Sequence, residues 1–188
     1  MIFNSLTYIV FLVLVFAVYW QLRGNSKLLL IFISSVVFYG FWRIEFVSLL
    51  LFSVCLDYFV AKRMPMVTLT QKKLLLYLSL SSNIGLLIFF KYLYFLHDNL
   101  TSVVGILGVQ IPPIDLSIIL PLGISFYTFQ TISYTVDVYR GHLKPENNFL
   151  AFASFVTFFP QLIAGPVLRA GEVIPQLKES KTFKFEDV

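Results

Sequence analysis

Apolar residues in this chain gather in long runs, and most polar residues fall between them. Six runs stand out, at residues 2–22, 28–42, 46–61, 74–96, 116–136 and 149–168. Several reach or exceed the ~18 residues expected of a membrane helix. The pattern predicts an all-α integral membrane bundle, with the chain forming one domain over 1–188. The first run carries no charge and lacks a basic leader and a small-x-small cleavage site, so it is expected to stay as the first span. The second, closed by Tyr39-Gly40-Phe41-Trp42-Arg43, is short and has an interfacial boundary. The third is also short, carries Asp57 near its end, and leads into a basic loop with Lys62, Arg63, Pro65, Lys72 and Lys73.

The fourth run is interrupted by Asn83, Gly85 and Lys91, and His97-Asp98-Asn99 are expected to end it. Lys91 is placed to snorkel toward the headgroups. Residues 101–110 are too short to span and fit an interfacial stretch, and Pro112-Pro113 marks a loop. In the fifth run Pro121 is expected near the first helical turn, where its missing N–H does no harm. Pro160, Gly165 and Pro166 break the sixth. No internal repeat is visible.

Composition agrees. The chain has 188 residues, 58% hydrophobic and 13% charged, with 21 phenylalanines, whereas a soluble domain carries roughly 25% charged residues. Mean hydropathy is +0.83. The net charge of +4 is spread between apolar segments, which argues against nucleic-acid binding. Cys55, the single cysteine, excludes an internal disulfide and a zinc cluster and reads as apolar filler.

Charge placement predicts orientation. With the N-terminus outside, the inside loops hold Arg23, Lys27, Lys62, Arg63, Lys72, Lys73, Arg140 and Lys144, and the outside loops hold Arg43 alone. A sixth full crossing would put Arg169, Lys178, Lys181 and Lys184 outside, against that bias. A re-entrant sixth segment turned back between Pro160 and Pro166 keeps them inside.

The chemistry concentrates in residues 120–169. Tyr127, Gln130, Tyr134 and Asp137 follow steps of three, four and three, so they share one helix face. Such a polar stripe either lines a cavity or bonds neighbouring helices together. Asp137 and Arg140, three apart at the helix end, are expected to form a structural pair. Asp57 is expected to be satisfied locally by Lys62 and Arg63. His97 and His142, the only histidines, have no acid or serine at catalytic spacing and read as interfacial imidazoles. No nucleophile elbow, phosphate loop or metal-ligand spacing is present.

The stretch Pro121-Leu122-Gly123-Ile124-Ser125-Phe126-Tyr127-Thr128-Phe129-Gln130, followed by Tyr134, Asp137, Tyr139, Arg140 and Gly141, then Phe158-Phe159-Pro160-Gln161, Ala164-Gly165-Pro166 and Arg169, resembles the membrane-bound O-acyltransferase family in its alginate O-acetyltransferase branch. Weaker matches are Asp57-Tyr58, Asn83-Ile84-Gly85 and Phe90-Lys91-Tyr92. The resemblance implies part of a tunnel-forming helix bundle with short and re-entrant helices in a bacterial inner membrane. It implies acyl transfer, from a donor on the cytoplasmic side, to hydroxyls of an exopolysaccharide or to an extracellular relay protein. No bound cofactor or metal is implied.

The family's hallmark histidine belongs to a downstream half that the resemblance assigns to the same protein, so neither His97 nor His142 inherits a catalytic role. Tyr127, Gln130, Tyr134, Gln161 and Arg169 carry over as tunnel lining. A related branch that transfers D-alanine to teichoic acid usually has Phe-Arg where this chain has Phe129-Gln130, and Ser-Gly-Pro at Ala164-Gly165-Pro166. A polymer-export component and a non-catalytic scaffold are the readings from other classes.

Overall fold

The computed structural model describes residues 5–105, 119–162, 165 and 168–179, and all regular structure among them is helical. The helices are α1 (Leu6–Gln21), α2 (Asn25–Gly40), α3 (Val47–Arg63), α4 (Leu69–Leu87), α5 (Leu93–Gly105), α6 (Ile124–Arg140), α7 (Phe149–Thr157), α8 (Phe159–Leu162) and α9 (Ala170–Lys178). Local chemistry sets several of their ends. Ser5 caps α1 by accepting from the Tyr8 amide at 3.2 Å. Thr68 and Gln71 form a reciprocal capping box on α4. Asn148 caps α7 by accepting from the amides of Leu150 and Ala151. Glycines in left-handed conformation, Gly123 (φ 70°) and Gly141 (φ 79°), bracket α6.

Two continuous helical stretches, Ile44–Met66 and Leu69–Gly105, are long and apolar enough to cross a membrane. Three shorter apolar helical stretches accompany them: Leu6–Gln21, Asn25–Gly40 and Phe149–Leu162.

The second stretch corrects the expected end of segment 4. His97, Asp98 and Asn99 do not stop the helix, which continues to Gly105 after a π turn at Ile88–Tyr92. Its polar side chains satisfy themselves along the rod: Asn99 donates to the Phe95 carbonyl at 2.6 Å and Ser102 to that of Asp98 at 2.8 Å. Residues 101–105 are therefore helical, while 106–110 and Pro112-Pro113 lie outside the described residues. Other boundaries move as well: segment 4 begins at Leu69, so Lys72 and Lys73 lie in α4 rather than in a loop. Segment 2 begins three residues earlier than expected, at Asn25, and takes in Lys27, which is buried with its ammonium over the Tyr19 and Trp20 rings at 4.6 and 5.2 Å. Pro121 lies before α6, and that helix runs on past Val136 to Arg140.

Helix α3 is central, packing on α2, α4, α6 and α7. The core between them includes Tyr39, Leu50, Val54, Tyr58, Tyr134 and Phe152. The Phe152 ring is the hub, with centroids 4.5 Å from Tyr134 and 5.9 Å from Tyr58. Helix α1 joins through Tyr8 and Phe11, whose rings meet Phe38 and Phe159.

Side-chain ties define two ends of the bundle. At one, Tyr39 donates to the Leu122 carbonyl at 3.0 Å, joining the end of α2 to the start of α6. At the other, Asn148 donates to Asn25 at 2.8 Å and Tyr58 to the Asn147 carbonyl at 2.6 Å. Lys72 lies over the Tyr139 ring at 5.2 Å at this second end. Arg23, Lys62, Arg63, Arg140 and Lys144 share it by position in the chain. This is the basic end.

Candidate functional site

Helix α6 is the polar element of the bundle. Its buried face is Ile124, Tyr127, Thr128, Gln130, Thr131, Tyr134, Thr135 and Val138; Tyr127, Gln130 and Tyr134 of the expected stripe lie on it, Asp137 is only half-buried, and Phe129 is exposed. The buried polar groups have different surroundings. The Tyr134 hydroxyl accepts from the Glu146 amide at 2.9 Å and so anchors the segment between α6 and α7. Tyr127 Oη and Gln130 Oε1 are buried without a hydrogen-bond partner among the described residues. An uncompensated group of this kind costs about 1–3 kcal/mol, so each calls for a polar partner beyond the described residues.

Beside this stripe is a node that the sequence reading missed. Asp57 of α3 is fully buried and does not turn to Lys62 or Arg63. It accepts from Ser79 Oγ and, at 2.8 Å, from Asn83 Nδ2, both on α4. Thr131 and Thr135 of α6 face the same carboxylate, and Thr131 Oγ1 lies 3.4 Å from Asn83 Oδ1. The correction has a simple cause. Lys62 is occupied by Tyr58, donating to its hydroxyl at 3.3 Å, and Asp57 points toward the helices rather than along its own. The pairs Ser79/Asn83 and Thr131/Thr135 each have i,i+4 spacing, the signal that would have located the node.

The sixth apolar run breaks as its prolines imply. Helix α7 ends at Thr157, Phe158 leaves helical geometry (ψ 103°), and the four-residue α8 follows. The Phe159 amide is recovered by Ser35 Oγ at 3.2 Å. The carbonyl of Leu162 abuts the place where a side chain on Gly123 would begin, so the break packs against the start of α6. Gln161, buried, sits beside this contact. The chain then returns: α9 packs on α7, and Lys178 Nζ reaches the Glu146 carboxylate at 3.1 Å.

That return separates Arg169 from the other four predicted lining residues. Arg169 is exposed and lines a small pocket of about 190 Å³ with Asp137, His142 and Glu172 at the basic end. Asp137 is not paired with Arg140 among the described residues. Gly141 turns the chain so that the amides of His142 and Leu143 donate to the Asp137 carbonyl, and His142 Nδ1 lies 3.9 Å from the Asp137 carboxylate. His142 is exposed beyond the end of α6, and His97 lies within α5 beside Asp98 at 3.4 Å rather than at a segment end. No group of three or more His, Cys, Asp or Glu side chains able to hold a metal ion occurs among the described residues.

No family model matches the chain, and no solved structure does. Curated relatives do match. The Azotobacter vinelandii protein named Probable alginate O-acetylase AlgI is 36% identical over 179 residues, covering 94% of this chain and 36% of that protein. Its Pseudomonas aeruginosa namesake is 37% identical over 94% of this chain and 34% of its own length. The Helicobacter pylori protein named Peptidoglycan O-acetyltransferase is 33% identical over 95% of this chain and 39% of its own length. The chain thus spans between a third and two-fifths of the length of these relatives. Over nearly all of its own length the chain is similar to proteins named alginate O-acetylase, in agreement with the resemblance carried by its residue 121–169 motif.

Proposed function

We propose that this chain is one part of a membrane-embedded O-acyltransferase that moves an acyl group, acetyl by the names of its relatives, onto hydroxyls of an exopolysaccharide such as alginate. The observation that carries the reading is 36–37% identity over 94% of the chain to proteins named alginate O-acetylase. An acceptor in peptidoglycan is the second reading, favoured by the Helicobacter pylori relative.

The bundle is polytopic and lies in a bacterial inner membrane, with the basic end in the cytoplasm and the N-terminus outside. Support comes from the gathering of cations at one end and from the return of α9 toward it, which brings Lys178 to the side that holds Glu146. Residues 149–168 re-enter rather than cross. Helices α7 and α8 together cover 149–162, about 20 Å at 1.5 Å per residue, short of the ~30 Å hydrocarbon core. Helices α2 and α6, of 16 and 17 residues, are likewise only about 25 Å long.

A thin, broken region lets a donor from the cytoplasm and an acceptor from outside meet with little diffusion between them. Tyr127 and Gln130, buried and polar, face that meeting place, and Gln161 and Tyr134 hold its walls. Arg169 stands at the cytoplasmic mouth. The proton acceptor for the attacking hydroxyl is a histidine in the remainder of the protein, and the acyl donor is a co-substrate rather than a bound cofactor.

Deleting the full-length gene from its host and measuring acetate released from the exopolysaccharide by mild alkali tests the assignment. Ester acetate should fall to background while polymer is still made. Unchanged acetate in the exopolysaccharide overturns the reading, and loss of acetate from peptidoglycan instead selects the second one.

A further inference from the structure

The outer surface of α3 and α4 carries a groove that the acyl-transfer reading does not use. It has a volume of about 440 Å³ and is lined by Phe52, Cys55 and Phe59 of α3 and Leu75 and Leu78 of α4, with Arg63 at one end. Phe52, Phe59 and Leu78 are 52%, 63% and 49% exposed, so the groove opens outward rather than into the bundle. From Phe52 to Arg63 it rises about 16 Å along the helix, about half of a ~30 Å hydrocarbon core and hence the depth of one leaflet.

The cations around the turn between α3 and α4 are not equivalent. Lys62 and Lys72 are drawn to the tyrosine rings of Tyr58 and Tyr139, at 5.3 and 5.2 Å. Arg63 and Lys73 are exposed and make no ion pair among the described residues, and of the two only Arg63 lines the groove. A free guanidinium above an apolar trough one leaflet deep matches an amphiphile with an anionic head and a long tail. A second copy of the chain fits poorly there, because its own charge is +4 and its basic end would meet Arg63.

We propose that this groove binds one anionic glycerophospholipid of the cytoplasmic leaflet, with its phosphate on the Arg63 guanidinium and one acyl chain along Phe52, Cys55 and Phe59. The inference rests on the membrane reading above but not on the acyl-transfer reaction.

Native mass spectrometry of the full-length protein, titrated in detergent with phosphatidylglycerol or phosphatidylcholine, tests it. One phosphatidylglycerol should be retained about fivefold more tightly than phosphatidylcholine, the factor expected for one cation near a phosphate. Arg63→Gln should abolish the preference, Arg63→Lys should keep most of it, and Cys55→Trp, which fills the trough, should release the lipid. Equal retention of the two lipids overturns the proposal. So does a preference that survives Arg63→Gln, or lipid retention unaffected by Cys55→Trp, as when other protein covers the groove. Extraction of host membranes with alkaline carbonate tests the membrane reading separately. Protein that stays in the membrane but shows no lipid preference loses this inference alone.

Discussion

Lys178 Nζ lies 3.1 Å from the carboxylate of Glu146, 32 residues earlier in the chain. Glu146 precedes α7 and Lys178 ends α9, so the start of α7 and the end of α9 lie at the same end of the bundle. An ion pair half open to water contributes about 0–1 kcal/mol. Its value here is as a marker of geometry, because α9 is held mainly by its packing on α7, α2 and α6.

The return predicts an accessibility pattern. In a Cys55→Ala background, cysteines placed at Gln176 and at His142 should both react with a membrane-impermeant maleimide added from the cytoplasmic side. One at Glu45 should react only from the other. Labelling of Gln176→Cys exclusively from outside would sink the re-entrant arrangement.

Gly123 combines a left-handed backbone with a carbonyl at the place where a Cβ would go. Gly123→Ala should cost at least about 1–3 kcal/mol, since both the torsion and the contact with Leu162 resist it. Gly85→Ala, in mid-helix with open space around it, should be neutral or gain up to about 1 kcal/mol. Thermal unfolding of the two variants in the same detergent separates them, and equal midpoints would refute the packing described for the break.

Asp57 is the shared acceptor of α4, so its removal should be felt more than its charge. Asp57→Ala strands Ser79 and Asn83 in the interior and should lower stability by about 2 kcal/mol. Asp57→Asn keeps an acceptor oxygen in place and should lose less than half of that. If Asp57→Ala unfolds at the parent temperature, the node is not what ties α3 to α4 and α6.

Tyr134→Phe removes the acceptor of the Glu146 amide while leaving the ring packed at a tilt against Phe152. The expected loss is about 1 kcal/mol. Hydrogen exchange should accelerate at Glu146 and its neighbours and stay unchanged in α3. Unaltered exchange at Glu146 would mean that the hydroxyl holds nothing there.

The inward face of α6 was legible from Tyr127 to Tyr134 because those polar residues keep helical spacing, and a helix carries that spacing into space; Asp137, next in the series, lies at the helix end and is only half-buried. The break near Pro160 was legible for an equally local reason: proline has no amide to give. The end of segment 4 was misread because His97, Asp98 and Asn99 resemble a stop signal. Side-chain bonds to the preceding helical turn let the rod absorb them. The partner of Asp57 was misread for the opposite reason. Its neighbours in sequence are cations, but its neighbours in space are hydroxyls and an amide contributed by two other helices.

By itself, then, the sequence determined the helical apolar class, the positions of most segments, the polar face of α6 and the family likeness. Each of these rests on composition or on spacing along one element. Only the tertiary structure decided which helices meet at Asp57, that Asp137 turns to His142, and that Lys178 at the end of α9 meets Glu146 before α7. These are relations between residues far apart in the chain, and they are set by packing, which no single segment encodes.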